Sequence, residues 1–351
     1  MAKTKNITLK DVAKRADVSY QTVSKVIRNQ IQVTPEVRAR VQAAIEELGY
    51  HPNAAAQNLR TQSSHLIGYS WQADGQNHSS PVLEQFQRSI VETAEDFGYH
   101  ILLFPQRANR DLDTIYEELV HTRRVDGFIL SSIEYNDPRI PIMQRLSVPA
   151  VSFGRSNDDN RPPYVDVDGR AGTAAAVRHL IEQGHQRIAL LAWPESSATG
   201  TERLSGYWDA MAEADLPIDP KWVMRGKGEI DYGYEAAQRL LDLPEKRRPT
   251  AIATVLDTIA IGVIQAVEAC GLQVGRDVAV TGFDDMPVAH HFKPGLTTVR
   301  QPVWEVGQAV INLLVSLLQG EQPRQILLSP ELIVRESSLG YRPSAGSGDS
   351  P

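Results

Sequence analysis

The stretch TLKDVAKRADVSYQTVSKVIR, residues 8–28, predicts two short helices joined by a tight turn. Thr8 and Ser19 can cap these helices, because a hydroxyl oxygen can accept from the free N–H groups of a first helical turn. Apolar residues recur at helical spacing and give each helix an inner face. The inner residues are Leu9, Val12, Ala13 and Ala16, followed by Val23, Val26 and Ile27. The outer residues of the second helix are Tyr20, Gln21, Thr22, Ser24, Lys25 and Arg28.

The outer face of the second helix combines cations, an amide, hydroxyls and one aromatic ring. Such groups can hydrogen-bond to base edges in the major groove of DNA. A capped helical hairpin with a polar face is the alternative, because that shape occurs in many proteins. Thr34-Pro35 then begins a third helix, which Gly49 ends. Residues 1–50 are therefore predicted to form an all-α helix-turn-helix headpiece.

Residues 51–64 are predicted to connect the headpiece to the rest of the chain. The run AAAQNLRTQ, residues 54–62, contains good helix formers but is too short for a stable helix on its own. An ordinary linker is the alternative interpretation of this segment.

From Leu66 onward, short apolar strands alternate with helices, a pattern typical of parallel sheets covered by helices. Residues 65–341 are too many for one such sheet, so we expect two doubly wound parallel-sheet lobes facing a cleft. The first lobe is predicted to span about 65–164 and 300–326, and the second about 165–299 and 327–341. Helices are expected at 205–214 and at 303–318, and residues 342–351 read as a disordered tail.

Charge is distributed unevenly along the chain, whose net charge is −7. Residues 1–64 hold ten Lys and Arg against five Asp and Glu, whereas the remainder holds 26 against 38. A basic module on an acidic body is typical of DNA-binding proteins. The single cysteine, Cys270, is expected to be a buried helix residue. No signal peptide or membrane-spanning run is found, which predicts a cytoplasmic protein with no membrane partner.

The string T-L-x-D-V-A-x-x-A-x-V-S-x-x-T-V-S-x-V-I resembles the headpiece of the lactose-repressor/galactose-repressor (LacI/GalR) family. Asp17 replaces the family's usual turn glycine, a mild change because Asp tolerates the left-handed conformation. The two-lobed part is similar to the family's periplasmic-binding-protein-like core, so the resemblance covers nearly the whole chain.

The resemblance implies specific DNA contacts. Tyr20, Gln21 and Lys25 are expected to read bases. Residues expected to hold phosphates or orient the helix are Ser19, Thr22, Ser24, Arg28, Thr34 and Asn53. Further expected DNA contacts are Thr8, Leu9 and Arg60. The linker resembles a hinge helix that orders on DNA, with Ala56 and Gln57 at hinge positions. Leu59 matches the leucine that wedges into the minor groove, where an inserted apolar side chain kinks the duplex.

Ligands of open α/β sheets bind beyond the carboxyl ends of the strands. The polar or aromatic residues found there are Trp71, Gln72, Arg155, Trp193, Arg203, Asp257 and Asp284. Arginine and carboxylate groups can pair with adjacent hydroxyls, and tryptophan can cover the apolar face of a sugar. Taken singly, each tryptophan could instead belong to the core, and Arg203 could form a structural ion pair with Asp284.

The family resemblance implies that Arg203, in R-L-x-G-[YW], and Asp284, in G-[FY]-D-D, contact an effector. It aligns Asp257 with the Asp of A-N-D-x-x-A-x-G. Leu256 stands where Asn is frequent, and Ile230 where an aromatic residue is frequent. Trp71 and Trp193 are therefore expected to supply stacking for a mono- or disaccharide.

The sequence thus predicts a homodimeric transcriptional repressor that binds a palindromic operator under the control of a small-molecule effector, most simply a sugar. A nucleobase, a nucleoside or a co-repressor is the alternative effector. A solute-binding protein would have no use for residues 1–64. No metal-ligand cluster, P-loop, GxSxG elbow or GxGxxG fingerprint is found, so we expect no enzyme activity, metal or cofactor.

Overall fold

The computed structural model describes residues 7–27, 33–50, 63–72, 81–106, 111–156 and 162–341. Residues 1–64 and residues 65–351 form two separate units, which are described in turn. The first unit contains α1 (Leu9–Arg15), α2 (Tyr20–Ile27) and α3 (Pro35–Leu48). The predicted hinge run, 54–62, and the predicted tail, 342–351, lie outside the described residues.

The caps of the first two helices use different chemistry. Ser19 Oγ accepts the Thr22 N–H at 3.1 Å, as predicted. Thr8 and Asp11 form a capping box, in which the Thr8 N–H and hydroxyl donate to Asp11 Oδ2 at 2.8 and 2.6 Å and the Thr8 carbonyl accepts the Asp11 N–H at 3.0 Å. The carboxylate suits this place because it also lies near the positive end of the helix. Asp17 makes the turn with φ 50°, the left-handed conformation expected of it.

The headpiece core is formed by the predicted inner faces. Val12, Val23 and Val41 are fully buried where the three helices meet. Tyr50 follows α3 and is also buried in this core. A three-helix unit with so small a core is expected to be marginally stable.

The first sheet of the second unit contains six parallel strands in the order β11-β5-β4-β3-β1-β2. The strands are β1 (Leu66–Gln72), β2 (His100–Gln106), β3 (Gly127–Leu130), β4 (Ala150–Phe153), β5 (Tyr164–Val167) and β11 (Gln325–Leu328). Its helices are α4 (Pro81–Asp96), α5 (Leu112–His121), α6 (Arg139–Leu146) and α11 (Val303–Leu318). Helix α11 packs beside α4, so late residues return to the first lobe as predicted.

The second sheet has the order β12-β10-β9-β8-β6-β7, and only β12 runs antiparallel to its neighbour. Its strands are β6 (Ile188–Ala192), β7 (Val223–Arg225), β8 (Ala251–Thr254), β9 (Ala279–Phe283), β10 (Thr297–Arg300) and β12 (Glu331–Ile333). Its helices are α7 (Gly169–Glu182), α8 (Ala198–Glu213), α9 (Ile230–Leu241) and α10 (Asp257–Ala269). A helical headpiece and two α/β lobes with parallel sheets are the predicted fold class.

Several sequence-based boundaries differ from the structure. The predicted lobe limits at 164/165 and 326/327 fall inside β5 and β11, both of which belong to the first sheet. Helix α6, which precedes β4, and strand β7 were not predicted from the sequence. Cys270 is exposed rather than buried, because α10 ends at Ala269 and Cys270 occupies its C-cap.

The helix predicted at 205–214 begins earlier, at Ala198. Ser197 Oγ accepts the Gly200 N–H at 3.1 Å and so caps α8. Gly200 is needed there, because a Cβ would lie 2.6 Å from Cβ of Trp193. As a result Arg203 lies on a helix rather than in a loop. Among the described helices, none is long and apolar enough to span a membrane.

Candidate functional site

The exposed surface of α2 carries the predicted base-reading residues. Tyr20 is 51% exposed, and Gln21 and Lys25 are also exposed, while Val23 and Val26 are buried on the opposite side. Thr22 and Ser24 are half-buried, and the Thr22 hydroxyl lies 2.8 Å from that of Ser19. The arrangement leaves one ring, one amide and one ammonium group free to face a groove.

The structure describes only some of the other residues that were predicted to contact DNA. Thr8 and Thr34 are exposed at the starts of α1 and α3, and half-buried Leu9 packs against the headpiece core. The other six lie outside the described residues, so their roles stay predictions. They are Arg28, Asn53, Ala56, Gln57, Leu59 and Arg60.

Arg203 lies at the carboxyl edge of the second sheet, with its side chain only 4% exposed. Its guanidinium carbon lies 3.6 Å from the ring centre of Phe283 and 5.4 Å from that of Trp193. One Nη donates to the Val255 carbonyl at 2.6 Å, and the same nitrogen is 3.6 Å from Asp284 Oδ1. Nε is buried and has no hydrogen-bond partner within the described part of the chain. A bound ligand could supply that missing acceptor.

Asp284 faces Arg203 from the loop after β9. Its backbone has φ 116°, a strained conformation for a residue with a side chain. The Asp284 N–H donates to the Val299 carbonyl at 2.8 Å, and Gln301 Nε2 donates to Asp284 Oδ1 at 2.7 Å. Burial raises the pKa of Asp284 to about 6, although Arg203 and Gln301 oppose the shift. The carboxyl is therefore mostly ionised at neutral pH, where it accepts hydrogen bonds, and it becomes able to donate as the pH falls through about 6.

Asp257 is fully buried at the first turn of α10. Its two oxygens accept from the Thr298 hydroxyl at 2.5 Å and from the Met286 N–H at 2.7 Å. Gly282 is required beside it, because a Cβ would lie 2.1 Å from Asp257 Oδ1. Burial and then the charge of Asp284 raise the pKa of Asp257 to about 8. These contacts fix the loop that carries Asp284, so Asp257 acts on that loop from inside the protein.

Arg155 follows β4 and is held by two carboxylates. Its Nε donates to Asp166 Oδ2 at 2.8 Å, and an Nη donates to Glu202 Oε1. Asp166 belongs to β5 of the first lobe, whereas Glu202 precedes Arg203 on α8 of the second. The predicted cleft thus contains an ion pair that joins its two walls.

The predicted aromatic residues lie on opposite lobes. Trp71 is 45% exposed near the end of β1, where Gln72 pairs in register with Gln106. Trp193 follows β6, is half-buried and packs on the core of the second lobe. Its placement near Arg203 puts an aromatic surface and a cation at the same edge of the sheet.

Sequence reasoning missed most of the supporting residues. In the second lobe, Thr298 and Gln301 bond to the two predicted aspartates. In the first lobe, Tyr69 in the middle of β1 and Ser131 just after β3 share a 2.8 Å hydroxyl contact. A polar residue within an apolar strand, such as Asp166 in YVDVD, was the available signal.

An apolar cavity of about 390 Å³ lies elsewhere on the first lobe. Met143, Ala150, Pro163 and Leu317 contribute to its lining, where β4 and β5 begin. Arg155 follows the other end of β4, so this cavity is separate from the predicted cleft. Among the described residues, no group of three or more His, Cys, Asp or Glu could hold a metal ion.

Comparison with known proteins matches both parts of the chain. Residues 8–53 match the family described as bacterial regulatory proteins, lacI family, and residues 177–338 match a periplasmic binding protein-like domain. The HTH-type transcriptional repressor PurR of Escherichia coli O139:H28 (strain E24377A / ETEC) is 32% identical over 335 residues, covering 94% of this chain and 96% of that protein.

Two solved structures extend the likeness to the fold. The lac repressor dimer bound to operator and the anti-inducer ONPF is 30% identical, with a TM-score of 0.81 over 95% of this chain and 100% of that one. The complex of transcriptional regulator CelR with cellobiose is 32% identical, with a TM-score of 0.71 over 94% of this chain and 99% of that one. The PurR relative and both structures cover nearly the full length of this chain, and the chain therefore belongs to the lacI family of bacterial regulatory proteins.

Proposed function

We propose that this protein is a transcriptional repressor that binds a near-palindromic operator as a homodimer. The observation that carries the proposal is the face of α2, which exposes Tyr20, Gln21 and Lys25 while Val23 and Val26 are buried. An amide can pair with adenine and an ammonium with guanine in the major groove. Two copies related by a twofold axis would read two half-sites.

We further propose that a sugar binds in the cleft and changes operator affinity. Support comes from the buried Arg203 Nε, which has no acceptor among the residues that the structure describes, and from Asp284 and the Trp193 ring beside it. A sugar offers adjacent hydroxyls for the polar groups and an apolar face for the ring. The cellobiose complex of the related CelR is consistent with a disaccharide. Closure of the lobes around the ligand would change the distance between the predicted hinge segments of the two protomers.

A nucleobase or nucleoside is the second candidate effector. A flat base would also stack on the Trp193 ring and accept a hydrogen bond from Arg203. The presence of Ile230, where the family often has an aromatic residue, favours neither a sugar nor a base as the effector.

The test is selection of bound DNA from a pool of random and symmetric sites, repeated with mono- and disaccharides and with purine bases and nucleosides. We expect one palindromic sequence to be enriched and one ligand to change the affinity of the protein for that sequence.

Gln21→Ala should lower affinity for the selected site by about 1–3 kcal/mol. Gln42→Ala, which changes an exposed glutamine on α3, is the matched control. Absence of any enriched sequence would refute the operator proposal, and a response only to bases would refute the sugar.

A further inference from the structure

The strongest unassigned feature is the ion-pair cluster of Arg155, Asp166 and Glu202. The two ion pairs that Arg155 makes connect different parts of the protein. The Arg155–Asp166 contact joins neighbouring strands of one sheet, where Phe153 pairs in register with Val165. The Arg155–Glu202 contact joins that sheet to α8 of the other lobe. Movement of one lobe against the other would leave the first contact intact and break the second.

The three side chains of this cluster are partly shielded from water, which strengthens the electrostatic attraction between them. The side chains of Arg155, Asp166 and Glu202 are 27%, 15% and 23% exposed. Water screens such partly buried pairs less than surface pairs. Burial raises the pKa of Glu202, while the charge of Arg155 opposes that shift. Glu202 therefore benefits from the Arg155 guanidinium only when the lobes are close together.

We propose that the Arg155–Glu202 pair is an interlobe latch, which stabilises the closed cleft and sets the position of the neighbouring Arg203. This inference rests on the proposed function, because it assigns a means of regulation to the same cleft. Glu202 and Arg203 are consecutive on α8, so a force on one is transmitted through the helix backbone to the other. Arg155 then acts as a positioning residue that links closure to the effector-binding arginine.

Amide hydrogen exchange of the full-length protein, without DNA or effector, tests the latch directly. The reporter is the segment 152–156 of the first lobe, and the change is Glu202→Gln in the second. We expect exchange in the reporter to be about 5- to 10-fold faster, because the lobes open more often. Asp209→Asn is the matched control: it removes a carboxylate from the same helix, but Asp209 pairs with Arg170 of its own lobe. Equal reporter rates in the two variants would overturn the proposal.

The reciprocal change guards against a local folding defect. Arg155→Gln should accelerate exchange in residues 198–205 of the second lobe, and Arg155→Lys should do so less, because it keeps the charge. Raising NaCl to about 0.5 M should move the wild-type rates toward those of Glu202→Gln and leave the variant unchanged. Unchanged exchange at 198–205 in Arg155→Gln would also overturn the latch. None of these measurements depends on operator or effector binding, so the proposed function can fail independently.

Discussion

Arg203 combines a structural role with a proposed binding role in one side chain. Its charge is buried against Phe283 and compensated by Asp284, and one nitrogen is tied to the Val255 carbonyl. These contacts fix the guanidinium plane before any ligand arrives. A preorganised donor of this kind loses little side-chain entropy on binding.

Removing either member of the Arg203–Asp284 pair should abolish the effector response. Arg203→Met keeps most of the buried volume and Asp284→Asn keeps the shape, so operator affinity should change little in either variant. The measurement is fluorescence anisotropy of labelled operator with increasing effector. Arg170→Met, at an exposed position on α7, should respond as wild type does. A normal response in both cleft variants would show that the effector binds elsewhere.

Asp257 and Asp284 should make the second unit less stable as pH rises. Their pKa values are about 8 and about 6, whereas an aspartate in an unfolded chain titrates near 3.9. Near neutral pH the folded protein therefore holds protons that the unfolded chain has lost, so raising the pH favours unfolding. Buried His185, whose pKa is lowered to about 4, has the opposite effect, but only below about 6.5.

The free energy of unfolding is accordingly expected to fall between about pH 6.5 and pH 8. Urea unfolding followed by tryptophan fluorescence measures it, because all five tryptophans lie beyond residue 64. Asp257→Asn should flatten this slope, while Asp242→Asn at an exposed position should not. A free energy that rises over this interval would contradict the raised pKa values.

At the scale of single elements, α2 depends on its cap because it has only eight residues. The Ser19 hydroxyl satisfies one free N–H group and contacts the Thr22 hydroxyl. Ser19→Ala should destabilise α2 by about 1 kcal/mol. Faster amide exchange in residues 20–27 would report this loss, and Ser19→Asp should restore protection. Unchanged exchange in Ser19→Ala would mean that tertiary packing alone holds the helix.

The predicted hinge segment carries an element-scale prediction of its own. Leu59→Ala should weaken binding to the selected operator and leave binding to random DNA nearly intact, since a wedge matters only where the duplex bends. Titration of both DNAs at the same salt concentration measures the ratio. Equal losses on the two DNAs would reject the wedge.

At the scale of the whole molecule, opposite charges are separated between the two units. The basic first 64 residues can neutralise phosphates, while the acidic remainder limits non-specific adhesion. Affinity for random DNA should fall linearly with the logarithm of salt concentration. Arg28→Gln, which removes a predicted phosphate contact, should reduce that slope by about 1. Lys246→Gln, an exposed change in the second unit, should leave the slope unaltered; equal slopes in all three proteins would contradict this charge assignment.

The sequence by itself determined the headpiece helices and the alternation of strands and helices. These features follow from caps, turns and apolar periodicity, which act over a few residues. It also selected Arg203 and Asp284 through a family motif. It misplaced the start of α8, because the apolar pattern is weak before Arg203 and the Ser197 cap was overlooked.

Only the tertiary structure decided how the selected residues are used. Arg203 meets the Val255 carbonyl 52 positions away, Thr298 meets Asp257 across 41, and Arg155 meets Glu202 across 47. No local pattern specifies such partners, because they come together only when the strands of each sheet align and the lobes face each other. Burial raises the pKa values of Asp257 and Asp284, because desolvation depends on everything packed around a group. Asp257, which the sequence placed among the cleft residues, is buried and holds the loop that carries Asp284.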